Sequence, residues 1–162
     1  MIPIKFKGSE KETVHELYHK LLDASNQKDK KGYITHIKSI NAWCLNNICI
    51  NGHSFTFPEI IKADYDTLCE IAQKYGKGMP EMSDQDKKFM IEYLYNQRFS
   101  VIRKEFSDKL EMKVCPYCNR NFVNSASNRT MCDLDHFFDK KEYPVMAVSL
   151  YNLVPVCHSC NH

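Results

Sequence analysis

The sequence predicts an α+β fold, with a mostly helical N-terminal region over residues 1–107 and a small cysteine-based module over residues 108–162. Three observations support this division. Apolar residues recur at helical spacing up to about Ser107. From Met112 onward the apolar runs are short and strand-like, and turns separate them. Four of the eight cysteines form two CxxC pairs, and both pairs lie in the C-terminal module.

Composition narrows the classes of protein to which the chain can belong. Hydrophobic residues make up 43% of the 162 residues and charged residues 26%, which is enough for a packed core. The apolar runs are too short to span a membrane, and the N-terminus lacks the apolar stretch of a secretion signal, so we expect a cytoplasmic protein. Because the net charge is only +2, any nucleic-acid contact must depend on a local arrangement of charge.

Four amphipathic helices are predicted in the N-terminal region. Ser9 and Glu12 have the spacing of a capping box at the start of the first helix. Pro58 suits the first turn of the third helix, Gly76 ends that helix, and Ser83 begins the fourth. The predicted ranges are about 9–25, 31–45, 58–75 and 83–107.

Short strands are predicted in both regions. Asn51-Gly52 is a hairpin turn signal between two apolar runs. In the C-terminal module, two further apolar runs precede and enter the second CxxC pair. The predicted strands are 48–50 and 55–57 around the turn, and 134–138 and 153–156 in the module.

The two CxxC pairs are Cys115 with Cys118 and Cys157 with Cys160. Two thiolates three residues apart can chelate one ion. Two such pairs complete a tetrahedral four-thiolate site, which favours zinc and leaves no position for a reacting water. We therefore predict a structural zinc ion, which would also stabilise a module too small to bury much core alone. The alternative is four unrelated buried thiols, which the paired spacing disfavours.

Between and beside the cysteine pairs stand Asp135-His136 on one predicted strand, Asn152 before the next strand, and Asn161 directly after Cys160. In this order the residues resemble the HNH nuclease superfamily, whose core is a ββα-metal finger. The arrangement is especially similar to zinc-stapled members such as phage endonuclease VII. It is also similar to the HNH nuclease subunits of bacterial anti-phage systems such as Septu, which work beside an ATPase. The resemblance covers only residues 115–162 and implies that the module is a zinc-stapled ββα-metal finger.

The chemistry of phosphodiester hydrolysis fits these residue types. A histidine titrates near neutral pH, so His136 suits the general base. Asp135 and Asn161 offer hard oxygen ligands that suit one Mg²⁺ or Mn²⁺ ion. The resemblance implies that Asp135 faces this catalytic metal, that His136 faces the attacking water, and that Asn152 tethers the connecting loop and helps to orient His136.

Four basic residues of the module are candidates for contacts with phosphates. Each of them could equally be an ordinary solvated side chain, because exposed lysines and arginines are common on any protein surface. The candidates are Arg120, Arg129, Lys140 and Lys141.

A second metal motif lies on the first predicted helix. Residues 15–19 read HELYH, which matches the HExxH pattern of zinc metalloproteases, with Glu16 as the base. Lys20 follows at once, and no convincing third ligand is found downstream. The favoured interpretation is therefore that His15 and His19 flank the apolar stripe of an ordinary amphipathic helix.

The function expected from the sequence is that of a metal-dependent HNH endonuclease. The expected substrate is double-stranded DNA, and RNA is the alternative substrate. The helical region is expected to bind a partner such as an ATPase or a sensor subunit. The rival hypothesis is a non-catalytic zinc-finger adaptor that binds nucleic acid or a protein. Because Asn161 should lie in the first turn of the final helix of the finger and His162 is the last residue, that helix is expected to be truncated and to continue in a longer chain.

Overall fold

The computed structural model describes residues 4–25, 27–123, 125–126, 129–130 and 132–161. Within these residues, six α-helices and one π-helical segment precede the first CxxC pair. They are α1 (Glu10–Leu22), α2 (Lys30–Asn47), α3 (Phe57–Lys62), α4 (Tyr65–Tyr75), α5 (Asp84–Lys88), the π-helical segment (Phe89–Phe99) and α6 (Ser100–Lys109).

Helix α1 has the predicted amphipathic pattern, but both of its ends differ from the prediction. Its buried apolar residues share one face and are Val14, Leu17 and Leu21. Ser9 occupies the N-cap position without a side-chain capping bond, so the predicted capping box with Glu12 is wrong. Spacing alone does not turn both side chains toward the backbone N–H groups. The helix ends at Leu22 because the Asp23 carboxylate accepts hydrogen bonds from Ser25, which favours a turn over another helical residue.

The predicted third helix is in fact two helices, α3 and α4, so the prediction of one continuous helix is wrong. The Asp64 carboxylate accepts a hydrogen bond of 2.8 Å from the backbone N–H of Thr67 and caps a new helix start. Upstream, Thr56 and Glu59 form a complete capping box at the start of α3. Gly76 follows α4 with a φ of 51°, a conformation that glycine adopts readily.

Helix α5, the π-helical segment and α6 form one uninterrupted helix from Asp84 to Lys109. The Ser83 hydroxyl accepts a hydrogen bond from the backbone N–H of Asp86, which confirms the predicted start. The π winding was not predicted. The buried residues of this segment are Met90, Leu94 and Phe99. They are spaced by four and then five positions, as suits the wider turn of a π-helix, but an apolar stripe of this kind also fits an α-helix.

Three two-stranded antiparallel sheets lie within the described residues. They pair β1 (Cys49–Ile50) with β2 (His53–Ser54), β3 (Ser125–Ala126) with β4 (Arg129–Thr130), and β5 (Asp133–His136) with β6 (Leu153–Val156). The first sheet confirms the hairpin at Asn51-Gly52, although its second strand precedes the predicted range 55–57. The last sheet confirms the two strands predicted in the module, with Asp135 opposite Val154.

The helical region and the cysteine-based module share one continuous hydrophobic core. The Phe6 ring lies 5.4 Å from Tyr151 of the module and 5.8 Å from Phe106 of α6, measured between ring centroids. The buried Ser149 hydroxyl donates a hydrogen bond of 2.8 Å to the carbonyl of Ile60 in α3. These contacts hold β5 and β6 against the helices. The chain is thus a mixed fold of helices and small sheets with a four-cysteine cluster, while the division at residue 107 stays a prediction. None of the described helices has the length and apolar content needed to cross a membrane.

Candidate metal centre and active site

The structure brings the two CxxC pairs together into one cluster. The sulfur atoms of Cys115, Cys118, Cys157 and Cys160 all lie within 4.8 Å of one another. The Sγ atoms of Cys118 and Cys157 are 3.8 Å apart. A tetrahedral zinc site with bonds of about 2.3 Å places its sulfurs about 3.8 Å apart, so the cluster has the dimensions of a zinc site. Four close cysteines can therefore hold a metal ion such as zinc.

Each pair is shaped by its own short turn. The first pair lies on a tight loop that is closed by backbone hydrogen bonds of 2.8 Å, from Cys115 N–H to the Asn121 carbonyl and from Asn119 N–H to the Cys115 carbonyl. Asn119 has a φ of 51°, a left-handed conformation that asparagine tolerates better than most residues. The second pair is closed by a 3-10 turn over His158–Cys160.

The surroundings of the cluster change the pKa values of its thiols in different directions. Burial opposes ionisation of Cys115, but backbone N–H groups, including those of Cys157 and Cys118, outweigh it and lower its pKa. Backbone N–H groups of Asn121 and Arg120 lower the pKa of Cys118. Hydrogen bonding with Cys157, burial and the neighbouring sulfurs raise the pKa of Cys160. The lowered pKa values of Cys115 and Cys118 favour the thiolate form, which is the form that binds a metal cation.

Asp135 and His136 are neighbours on β5, so their side chains leave opposite faces of the strand. On one side, Oδ2 of Asp135 accepts a hydrogen bond of 2.6 Å from the Tyr117 hydroxyl. On the other, Nε2 of His136 lies 2.9 Å from the Ala147 carbonyl oxygen. The His136 ring also contacts the Tyr95 ring edge-on, with centroids 4.4 Å apart. The predicted divergence of the two side chains agrees with these different partners.

The contact with Ala147 determines which nitrogen of His136 is available. A carbonyl oxygen can only accept a hydrogen bond, so Nε2 carries the proton and Nδ1 keeps its lone pair. Burial lowers the pKa of His136 below its ordinary value and outweighs the hydrogen bond to Ala147, which raises it; the nearby Lys140 charge also lowers it. The neutral imidazole that results is the form able to accept a proton.

The fully buried Asn152 closes the loop between β5 and β6. Its Oδ1 accepts a hydrogen bond of 2.7 Å from the backbone N–H of Phe138. Its Nδ2 donates to the carbonyls of Phe138 and Met146 at 3.1 and 2.9 Å. Because Met146 directly precedes Ala147, these bonds also fix the carbonyl that holds His136. A role for Asn152 in orienting His136 stays a prediction.

Asn161 follows the second cysteine pair in a right-handed helical conformation and is exposed. Its side chain forms a hydrogen bond with Asp133, which helps to lower the Asp133 pKa; the largest lowering comes from the His158 ring. Nδ1 of His158 lies 2.9 Å from Asp133, and the Arg103 guanidinium lies 3.6 Å away. Joint binding of a catalytic metal by Asp135 and Asn161 stays a prediction.

Sequence reasoning missed two residues of this site, Asp133 and Tyr117. Asp133 stands two positions before Asp135 on β5, so both carboxylates leave the same face of the strand. That alternation was visible in the sequence. Tyr117 lies inside the first CxxC pair, and its contact with Asp135 requires the tertiary arrangement of the loop and the strand.

The four candidate phosphate contacts fall in different positions. Lys140 is half-buried, with its Nζ 4.6 Å from the centre of the Tyr95 ring that touches His136. Lys141 and Arg120 are exposed. The side chain of Arg129 lies outside the described part of the chain. Of the described candidates, Lys140 is thus the one that contacts the same Tyr95 ring as His136.

A separate cavity of about 690 Å³ opens between α2 and the π-helical segment and includes none of the candidate site residues. Its walls include Tyr33, His36, Phe89 and Tyr93.

Comparison of the chain with family models, with curated proteins and with solved structures finds no match.

Proposed function

We propose that this protein is a metal-dependent endonuclease of the HNH type that hydrolyses phosphodiester bonds in DNA. The proposal rests on one observation, the hydrogen bond from His136 Nε2 to the Ala147 carbonyl. This bond leaves Nδ1 of His136 available to accept a proton. The two-stranded β5–β6 unit and the adjoining four-cysteine cluster support the proposal, because zinc-stapled HNH fingers are built on paired strands and CxxC pairs.

In this proposal, the residues act on different parts of the reaction. His136 takes a proton from the attacking water at Nδ1. Asn152 keeps the β5–β6 loop closed, so that the Ala147 carbonyl stays in place behind the imidazole. Lys140 offers a positive charge to the phosphate beside His136. Structural zinc on the four cysteines holds the finger together and takes no part in bond cleavage.

Asp135 and Asn161 would hold the catalytic ion. Carboxylate and amide oxygens form a donor set that suits Mg²⁺ or Mn²⁺, with waters completing the shell. Such an ion, when bound, would neutralise charge on the scissile phosphate and on the leaving oxygen. A protein partner on the helical region, such as an ATPase or sensor subunit, and a role in anti-phage defence in the cytoplasm belong to the same proposal and rest on the resemblance to HNH nucleases alone.

The test is cleavage of plasmid DNA by the zinc-loaded protein with added Mg²⁺ or Mn²⁺. Replacing His136 with alanine should lower the rate by about 10²–10⁴-fold, because a general base typically contributes that much. His53→Ala is the matched control, since His53 is an exposed histidine on the β1–β2 hairpin, paired with Glu59 at 3.0 Å. It should cut at the wild-type rate.

Zinc content and melting temperature, measured on all three proteins, separate chemistry from folding. Undiminished cutting by His136→Ala would refute the assigned base. If the zinc-loaded wild type cut neither double-stranded DNA, single-stranded DNA nor RNA, the endonuclease proposal would fail. The non-catalytic adaptor would then be favoured, because a closed four-thiolate site supports a scaffold equally well.

A further inference from the structure

The histidines of the HELYH segment come together on the exposed face of α1. His15 and His19 are one helical turn apart, and both are exposed. Their Nε2 atoms lie 3.0 Å from each other, and their rings meet edge-on with centroids 4.2 Å apart. Two imidazole nitrogens at this distance cannot both carry a proton, so at least one lone pair is directed into the space between the rings.

Glu16, the residue between them in the metalloprotease motif, is not available as a catalytic base. Its two carboxylate oxygens are paired with Lys20 and Lys109, each at 2.8 Å. Hydrogen bonds from Lys109 and Lys20 lower the pKa of Glu16 to about 2. Among the described residues, the four cysteines are the only group of three or more potential ligands of this kind that converge on one point. A three-ligand zincin site is therefore not formed, and the peptidase interpretation fails on geometry.

We infer that His15 and His19 form a bidentate, solvent-open binding site for a divalent transition-metal ion, distinct from the four-cysteine site. Two metal–nitrogen bonds of about 2.0–2.1 Å to atoms 3.0 Å apart enclose an angle of about 90–100°. A tetrahedral ion would require nitrogens about 3.3–3.4 Å apart. The observed spacing thus favours ions with tetragonal or octahedral geometry and affinity for imidazole, such as Ni²⁺ and Cu²⁺. Water fills the remaining positions, since no described side chain supplies a third ligand.

Metal binding at this pair would also support α1. The helix begins without a side-chain cap at Ser9, so its first turns depend on packing of Thr13, Val14 and Leu17. An ion that joins residues 15 and 19 fixes one turn of the helix and binds only the folded form. It should therefore raise the melting temperature progressively, with the logarithm of the free ion concentration once that concentration exceeds the dissociation constant.

The experiment is a titration of the zinc-loaded protein with Ni²⁺, an ion that does not oxidise thiols. Calorimetry measures the binding, and thermal melting measures the change in stability. The wild type should bind one Ni²⁺ per chain and keep its zinc. His19→Ala should weaken that binding by at least about tenfold, because only one ligand of the chelate remains. His15→Ala with His19→Ala should abolish it, and the single change His53→Ala should leave it unchanged.

The melting temperature should rise with Ni²⁺ in the wild type and in His53→Ala but not in the double variant. Equal Ni²⁺ affinity in the wild type and the double variant would overturn the inference, as would absence of a binding event in the wild type. Loss of binding in His53→Ala would also overturn it, since that result would place the ion at another histidine. These outcomes do not depend on whether the protein cuts nucleic acid.

Discussion

The hydroxyl of Tyr117 donates a hydrogen bond of 2.6 Å to Oδ2 of Asp135 and thereby joins the loop of the first cysteine pair to strand β5. Tyr117 stands between Cys115 and Cys118, so its position depends on the fold of the first cysteine pair. Burial and the bond to Asp135 raise the pKa of Tyr117 above its ordinary value, which keeps the phenol protonated as a donor. One carboxylate oxygen of Asp135 is held in this way by the loop of the first cysteine pair.

Tyr117→Phe is predicted to lower the affinity of the proposed catalytic site for Mg²⁺ or Mn²⁺ and to leave the zinc content unchanged. The substitution keeps the ring and removes only the hydroxyl that orients Asp135. Loss of a hydrogen bond that orients a metal ligand typically costs about 10–100-fold in metal affinity or activity. The Mg²⁺ or Mn²⁺ concentration for half-maximal cutting should therefore rise by at least about tenfold.

Tyr75→Phe is the control for this substitution. The Tyr75 hydroxyl accepts a hydrogen bond of 2.9 Å from the backbone of Cys49, far along the chain from the candidate site. This variant should show the wild-type metal dependence. The same metal dependence in Tyr117→Phe and the wild type would show that the hydroxyl does not position Asp135.

Cys115→Ser should release the zinc ion and unfold the C-terminal module. Structural zinc contributes its binding energy directly to folding, with apparent values of about 10–16 kcal/mol in zinc-finger peptides at neutral pH. Cys69→Ser is the matched control, because Cys69 lies in α4 outside the cluster. Elemental analysis should find about one zinc per chain in the wild type and in Cys69→Ser. A full zinc content in Cys115→Ser would contradict the assignment of the ligands.

Some elements could be predicted from the sequence because the residues that determine them are close together in the chain. The CxxC spacing predicted the four-cysteine cluster, and the strand run over 153–156 agrees with β6. The π winding of the Phe89–Phe99 segment had no such signal, because its buried residues also satisfy an α-helical stripe. The division between α3 and α4 did have a local signal, the capping residue Asp64. The apolar spacing across Asp64 nevertheless suggested one continuous helix.

The candidate site was predictable only in part, for a related reason. Asp135, His136, Asn152 and the cysteines could be chosen by residue type and order. Their hydrogen-bond partners could not be predicted, because only the tertiary fold brings the Ala147 carbonyl next to His136 and the Tyr117 hydroxyl next to Asp135. The hydrogen bonding of His136 therefore follows from the structure, while its proposed role as a base rests on the chemistry of imidazole.

Asp86→Asn should destabilise the protein at neutral pH, by an amount that disappears in acid. The buried Asp86 carboxylate accepts hydrogen bonds from His36 and Ser39 at 2.9 and 2.7 Å and ties α5 to α2. Burial alone would raise its pKa, but the bonds from His36, Ser39 and Ser83 outweigh burial and lower it. Hydrogen bonds to a charged group contribute about 1.5–3 kcal/mol, which is the expected loss in the free energy of unfolding.

The direction of the pH dependence follows from this lowered pKa. A carboxylate with a lower pKa in the folded state contributes stability above its ordinary pKa of 3.8, and the contribution is lost as the pH falls through the folded value. The difference between wild type and Asp86→Asn should therefore be constant near neutrality and shrink below about pH 4. Release of zinc in acid affects both proteins and cancels in the difference. Asp84→Asn, at an exposed position of the same helix, should show almost no difference at any pH. A pH-independent loss in Asp86→Asn would contradict the assigned charge.

Lys140 and Lys141 form a matched pair for testing phosphate contacts beside His136. The Lys140 ammonium is held 4.6 Å from the centre of the Tyr95 ring, whose edge contacts His136. Lys141 is exposed, and its backbone N–H is bound to the Asp139 carboxylate. If the bound phosphate lies at His136, the neighbouring Lys140 charge should contact it and the Lys141 charge should not.

DNA binding should be measured over a range of salt concentrations with His136→Ala as the parent, so that the substrate stays intact. Lys140→Gln should weaken binding and lower the slope of log affinity against log salt by about one, the loss expected for one phosphate contact. Lys141→Gln should change the slope by much less. Melting temperatures must accompany both variants, because loss of the contact with Tyr95 costs about 0.5–1 kcal/mol by itself. Equal slopes for the two variants would place the DNA backbone away from Lys140 and from the His136 side of the strand.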